Sequence, residues 1–286
     1  MARVGVQAMM IRGHVAEVGP YEALRKVADI GYRAVEISQI PMSPDNVAQM
    51  AKARDEFGIE IGATSASLDA PPGSANESLT TSLDKIICDC AALDCSKVRI
   101  GMLPMQALRS LETIKEFCRG ADEAAGRLAE HGIQLYYHNH HIEFTRFDGQ
   151  RLLDIIRSEA PRLRFELDVH WIHRGGGDPV TVLREYAGVV DLVHLKDYRI
   201  ARPDDAAFDA LASGDREAWS KTWSAIVQFA EVGEGNLDWK AIVDQSIASG
   251  ADYLFVEQDD QYGLDPYDCL ETSRRNLVSL GYESLF

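Results

Sequence analysis

Short apolar, β-branched runs recur along the chain. Each is followed by a polar loop and then by a stretch whose apolar residues return at i, i+3 and i+4, the spacing of a helix with one buried face. The runs predict strands over Arg3–Gln7, Ala34–Ile37, Ile59–Ala63, Lys97–Ile100, Gln134–Tyr137, Arg164–Leu167, Leu192–Leu195 and Tyr253–Val256. The segments between them, from YEALRKVADI to LDWKAIVDQSIAS, and PYDCLETSRRNLVSL after the last strand, predict helices. Gly31, Gly58, Gly132 and Gly250 each fall just past a helix, at the left-handed position that ends it cheaply. Strands that are apolar throughout, rather than alternating, indicate a sheet covered on both faces and hence parallel βα units. Eight units in about 250 residues fit an α/β chain closed as a (β/α)8 barrel better than an open doubly wound sheet. No Pro-, Gly- or Ser-rich linker interrupts the series, so residues 1–286 read as one barrel domain.

One interval breaks the rhythm. About 40 residues separate the seventh strand from the helix LDWKAIVDQ, far more than an ordinary connection. Because the interval follows a strand's C-terminal end it belongs to the catalytic face of a barrel, and it reads as a partly helical lid or specificity loop.

Charge narrows the partners. With 29 Lys plus Arg against 45 Asp plus Glu, the net charge is -16. Such a field repels nucleic-acid phosphates and anionic lipid headgroups, leaving small neutral molecules and metal cations. No run approaches the roughly 18 to 20 apolar residues that cross a bilayer. The start MARVGVQAMMIRGHVAEVG has no secretory pattern, so a cytoplasmic protein is expected. Five cysteines without a CxxC pair read as reduced, buried thiols rather than a disulfide scaffold or structural zinc site.

The chemistry collects late in the chain. Seven of the eight histidines lie between residues 131 and 194. Polar residues stand where predicted strands end: His138, Asn139 and His140 with Glu143 after the fifth, Asp168 and His170 after the sixth, His194, Lys196 and Asp197 at the seventh, and Glu257 after the eighth. Strand C-termini of a (β/α)8 barrel converge on one mouth however distant in sequence. Two Glu, one Asp and one His meeting there suit Mn2+ first, with Mg2+, Co2+ or Zn2+ as alternatives, and lack the thiolates of a structural zinc site. Such an ion would hold adjacent substrate oxygens and polarise a carbonyl, making the neighbouring C–H acidic.

The combination of ELDVHW, VHLKD, VGEGNLDW and the Glu closing YLFVEQDD, with GYRAVEIS at the second strand, resembles the sugar phosphate isomerase/epimerase superfamily of xylose-isomerase-like TIM barrels, over nearly the whole chain. The resemblance implies one divalent metal held by a Glu, Asp, His, Glu quartet from strands five to eight. Asp168, His194 and Glu257 match its last three positions; the first falls to Glu143, with His138 as the alternative. The HNHxxEF pattern is similar to a subgroup acting on inositol-like and keto-sugar substrates by dehydration, epimerisation or glycoside elimination.

These readings assign Glu143, Glu257, His140 and His170 to proton transfer, His170 because two positions beyond Asp168 a continuing strand would face the same way. His138, Lys196, Arg199 and Glu36 are expected to bind substrate: Lys196 steadies an oxyanion or pairs with Asp197, Arg199 clamps a hydroxyl or carboxylate, and Glu36 binds a hydroxyl at the mouth. Trp171, Trp219, Trp223 and Phe144 offer faces for a sugar ring, and Gly175–Gly177 read as a mouth turn rather than a phosphate loop. With no basic cluster to receive a phosphate, the expectation is an isomerase or epimerase of an unphosphorylated sugar, keto-sugar or cyclitol acting through an enediolate. The alternatives are a lyase on the same site, of inosose dehydratase or 3-keto-glycoside-eliminating type, then an endonuclease IV-like phosphodiesterase or a barrel that only binds. By analogy, a homodimer or homotetramer is expected.

Overall fold

Eight parallel strands close on themselves in a computed structural model that describes residues 2–70 and 77–286. They are β1 Arg3–Gln7, β2 Ala34–Ile37, β3 Glu60–Ser65, β4 Lys97–Ile100, β5 Gln134–His138, β6 Arg164–Asp168, β7 Val190–Leu195 and β8 Tyr253–Val256. Each pairs with its sequence neighbours, and β8 pairs with β1 to complete the barrel. The ladder changes register at two places, between Val35 and Glu36 and between Phe165 and Glu166.

The helices that alternate with the strands are α1 Pro20–Ile30, α2 Pro44–Phe57, α3 Leu83–Ala92, α4 Leu111–Ala129, α5 Leu152–Glu159, α6 Pro179–Glu185, α7 Trp239–Ser249 and α8 Pro266–Ser279. Side chains hold their first turns: Ser43 and Asp178 accept backbone N–H groups of α2 and α6, and Ser110 with Thr113 forms a capping box on α4. Their apolar faces pack on the outside of the sheet to make the main core.

Inside the barrel, period-two alternation stacks side chains in layers. Ala34, Ala63, Tyr136, Leu192 and Phe255 form an apolar floor. Two residues further along four of the same strands stand Glu36, His138, His194 and Glu257, all buried. The interior therefore turns from apolar to charged towards the strands' C-terminal ends.

Three local elements differ from the sequence expectation. The long interval after β7 begins and ends in an antiparallel hairpin, Asp197–Ile200 with Val227–Ala230, that carries two helices, Asp205–Ser213 and Arg216–Ser224, between its strands. A smaller hairpin, Arg146–Phe147 with Gln150–Arg151, follows β5. The chain after Asp168 turns into a short helix, Val169–Arg174, because the Asp168 carboxylate accepts the Trp171 N–H and caps it. His170 thus lies on a helix and not on a continuing strand. No helix of the described residues is long and apolar enough to cross a membrane.

Candidate metal centre and active site

Four side chains from four consecutive strand ends meet at the barrel mouth: His138 from β5, Asp168 from β6, His194 from β7 and Glu257 from β8. One ligand atom from each lies within 4.8 Å of the others, and all four residues are buried. His194 Nδ1 is 2.7 Å from Glu257 Oε2, and 3.0 Å from His138 Nε2. Asp168 Oδ2 lies 3.6 Å from His138 Nε2 and 3.8 Å from His194 Nδ1.

The proton positions follow from the partners on the far sides of the rings. His138 Nδ1 is 3.2 Å from the Gly101 carbonyl, which only accepts, so that nitrogen donates. His194 Nε2 is 2.7 Å from Glu36 Oε2 and donates likewise. His138 Nε2 and His194 Nδ1 are left facing each other. Asp168 Oδ2 and Glu257 Oε2 are buried and accept no hydrogen bond of good angle, although the Lys196 ammonium comes within 3.4 and 3.0 Å. Two imidazole nitrogens and two carboxylate oxygens converging in this way could hold a metal ion, and the mixed nitrogen and oxygen set fits a divalent one.

Electrostatics agree. Burial pushes the His138 imidazole down to about 4. Around His194, the carboxylates of Glu166, Glu257 and Glu36 outweigh burial and push its imidazole well above the ordinary histidine range. Burial alone would raise the carboxyls of Asp168 and Glu257; Lys196, with His138 for the one and His194 for the other, overcomes it and holds both well below the usual range. The spot calls for positive charge, which a divalent ion would supply in place of a proton.

Glu143 stands outside this group. Its carboxylate is fully buried, accepting the Tyr137 hydroxyl at 2.6 Å and the His140 N–H at 2.7 Å, so it braces the turn that follows β5. The His138 ring, and not the Glu143 carboxylate, lies with Asp168, His194 and Glu257.

His140 and His170 flank the cluster. The Nδ1 of His140 and both ring nitrogens of His170 are buried without a partner. Burial pushes these imidazoles down to about 3 and about 4, leaving them neutral near pH 7. His170 packs edge-on to Trp171 and Tyr198 and tilted against Phe229. Phe229 and Tyr198 come from the hairpin, so the lid interval delivers aromatic rings to the mouth. Lys196 lies over the rings of Trp171 and Phe229 and pairs with Asp168, Glu257 and Asp259, the last at 2.9 Å.

Lys196 does not pair with Asp197. The Asp197 carboxylate points away and accepts the N–H groups of Tyr198, Gly233, Gly235 and Leu237 and the Trp239 indole N–H. A Cβ on Gly235 would collide with that carboxylate and with the Tyr198 carbonyl, which accounts for the glycine in VGEGNLDW. Arg199 is half-buried and faces Glu231 at 3.7 Å. Glu36 sits beneath His194 and is engaged by Arg99 and His194, away from any substrate at the mouth. Phe144 lies against Gly175 and Gly177. Trp219 and Trp223 lie tilted towards each other, 6.1 Å apart, on the helix Arg216–Ser224, where Trp223 is 61% exposed.

Asp259, from the polar run that closes the eighth strand, pairs with Lys196, while Arg99 and Glu166 join the site without having stood out in the sequence. Arg99 and Glu166 are charges inside otherwise apolar strands, at inward-facing positions, and that placement is the signal that marks them.

The family model described as xylose isomerase-like TIM barrel matches residues 24–274. An inosose dehydratase of Clostridium perfringens is 28% identical over 153 residues, 51% of this chain and 47% of the relative, so the chain spans about half the length of the curated relatives it matches. Among solved structures, a sugar phosphate isomerase/epimerase from Parabacteroides distasonis superposes with a TM-score of 0.72 at 19% identity, covering 100% of this chain and 96% of that one. An L-ribulose 3-epimerase does so with a TM-score of 0.70 at 18% identity, covering 100% and 96%. At these identities the structural likeness is one of fold.

Proposed function

The chain belongs to the xylose isomerase-like TIM barrel family, and from that premise we propose that it is a divalent-metal-dependent isomerase or epimerase of an unphosphorylated sugar, keto-sugar or cyclitol. The observation that carries this reading is the convergence of His138, Asp168, His194 and Glu257 at the barrel mouth. These four would hold the ion, Mn2+ by preference. When bound, it supplies Lewis-acid polarisation of a substrate carbonyl and so acidifies the adjacent C–H.

The chain's own groups do the rest. His140 and His170, neutral and each with one ring nitrogen able to accept, would take the proton and return it. Returned to the other face of the same carbon it gives an epimer; returned to the former carbonyl carbon it gives an isomer. Lys196, held as an ammonium by Asp168, Glu257 and Asp259, would offset negative charge that develops on a substrate oxygen at the mouth. Trp171 and Phe229 give the substrate ring an apolar wall. Neither Lys196, which three carboxylates neutralise, nor Arg199, which faces Glu231, is spare for a phosphate.

The second reading is a lyase: the same abstraction, followed by loss of a β-hydroxyl or glycosyl group to which one of the two histidines gives its proton. The likeness to an inosose dehydratase favours it. A phosphodiesterase would draw further ligands from the early strands, where Glu36 is already committed to Arg99 and His194.

Incubating the Mn2+-loaded protein in D2O with keto-sugars, 3-keto-glycosides and inososes separates these. An isomerase or epimerase returns a labelled sugar, and a lyase yields an unsaturated product. Asp168→Ala is expected to lose both bound Mn2+ and deuterium exchange; full exchange in that variant would overturn the metal reading.

A further inference from the structure

The end of β4 brings no ligand to the cluster, yet it touches what lies behind both imidazoles. Arg99 Nε is in contact with Glu36 and lies 3.1 Å from Glu166 Oε2, while an Nη of Arg99 donates to Ser38 Oγ at 3.1 Å. All of these groups are buried. Glu36 in turn takes the Nε2 proton of His194 at 2.7 Å. Two residues after Arg99, the Gly101 carbonyl takes the Nδ1 proton of His138 at 3.2 Å. A Cβ on Gly101 would stand 2.7 Å from Arg99 Nη1, so the residue that anchors one imidazole is also the one that leaves room for the guanidinium anchoring the other. Glu36, Glu166 and His194 form a second acidic group, but Arg99 already fills the cation's place in it.

We propose that Arg99, Glu36 and Gly101 are positioning residues that fix the tautomers of both imidazoles, His194 presenting Nδ1 and His138 presenting Nε2 to a single divalent ion. The proposal rests on the metal reading above. A metal-binding imidazole needs its other N–H committed to an acceptor, which holds the ring angle and keeps the lone pair on the ligating side. Ordinarily each histidine has its own acceptor from its own surroundings. Here one strand end serves both, through a salt bridge for His194 and a carbonyl for His138, so the two rings share a common mount.

The test is a Mn2+ titration followed by the EPR signal of the free ion, with circular dichroism to verify folding. Wild type is expected to bind one equivalent and Asp168→Ala none. Glu36→Ala is expected to weaken binding about 10- to 100-fold, the range seen when outer partners of metal ligands are removed. Glu36→Gln, which keeps an oxygen to accept the His194 proton, is expected to stay close to wild type. Should Glu36→Ala misfold because Arg99 loses its partner, the double variant Glu36→Gln/Arg99→Met removes both charges, and weakened binding is expected from its unanchored amide.

A second readout, which a merely structural role would not move, is the 15N spectrum of histidine-labelled, Zn2+-loaded protein. His194 should carry its proton on Nε2 and His138 on Nδ1, and Glu36→Ala should lose the His194 signature alone. A wild type that takes up no Mn2+ sinks the metal reading and this proposal with it. Wild-type affinity in folded Glu36→Ala or in the double variant, beside an empty Asp168→Ala, overturns this proposal only.

Discussion

A single carboxylate can hold a loop as firmly as a helix does, and Asp197 shows how. It gathers four backbone N–H groups and the Trp239 indole, tying the end of β7 to the turn that leads into α7. Removing it leaves buried donors without an acceptor, and the loss should be large. We expect Asp197→Ala to cost about 3–5 kcal/mol in urea unfolding, and Asp197→Asn, which keeps one accepting oxygen, to cost less. Equal and small losses in both would show that water replaces the carboxylate. Lys196, between the end of β7 and the hairpin strand that begins at Asp197, faces the other way. Lys196 turns to the mouth and Asp197 to the loop, so the LysAsp pair in VHLKD is two separate devices rather than an ion pair.

At the scale of elements, what the sequence made legible follows length and periodicity. All eight barrel strands could be read because each is a short apolar run fenced by polar residues, and most helices because their periodic faces exceed two turns. The hairpin Asp197–Ile200 with Val227–Ala230 was not legible: both arms are four residues long, half-buried and separated by helices. The six-residue helix Val169–Arg174 is too short to show a period, and its cap, Asp168, already had a role as a candidate ligand. The convergence of His138, Asp168, His194 and Glu257 could be anticipated from their strand-end positions. That Glu143 lies apart from it could not, because Tyr137 and the His140 N–H hold that carboxylate only once the turn after β5 has formed.

Caps also carry a pH signature. The Asp178 carboxyl lies below the usual range, chiefly because Thr181 hydrogen-bonds its ionised form. A depressed folded-state pKa means that this stabilisation is full above the unfolded value, about 3.9, and is lost as pH falls through the lower one. Asp178→Ala should therefore cost about 1 kcal/mol at pH 7. The gap from wild type should narrow in thermal melts as pH falls below the unfolded value, and a gap independent of pH would refute this.

For the whole molecule, four of the 45 acidic residues, Glu36, Glu166, Asp168 and Glu257, are buried along the axis of the barrel. Binding of a cation there must couple to the stability of the entire barrel, since the four ligand-bearing strands are consecutive and hydrogen-bonded neighbours. Mn2+ at 100 times its Kd should add about 2.7 kcal/mol and raise the Tm by several degrees. The same addition should leave Asp168→Ala unmoved, and a shift of equal size in that variant would place the ion elsewhere.

The two places where the strand ladder changes register fall immediately before Glu36 and Glu166, the pair that embraces Arg99. An irregularity of this kind bends the strand locally and re-aims a side chain. Site chemistry in this barrel is thus a matter of phase. Advancing a strand by one residue would send its inward group out among the helices, and advancing it by two would drop that group one layer down the axis.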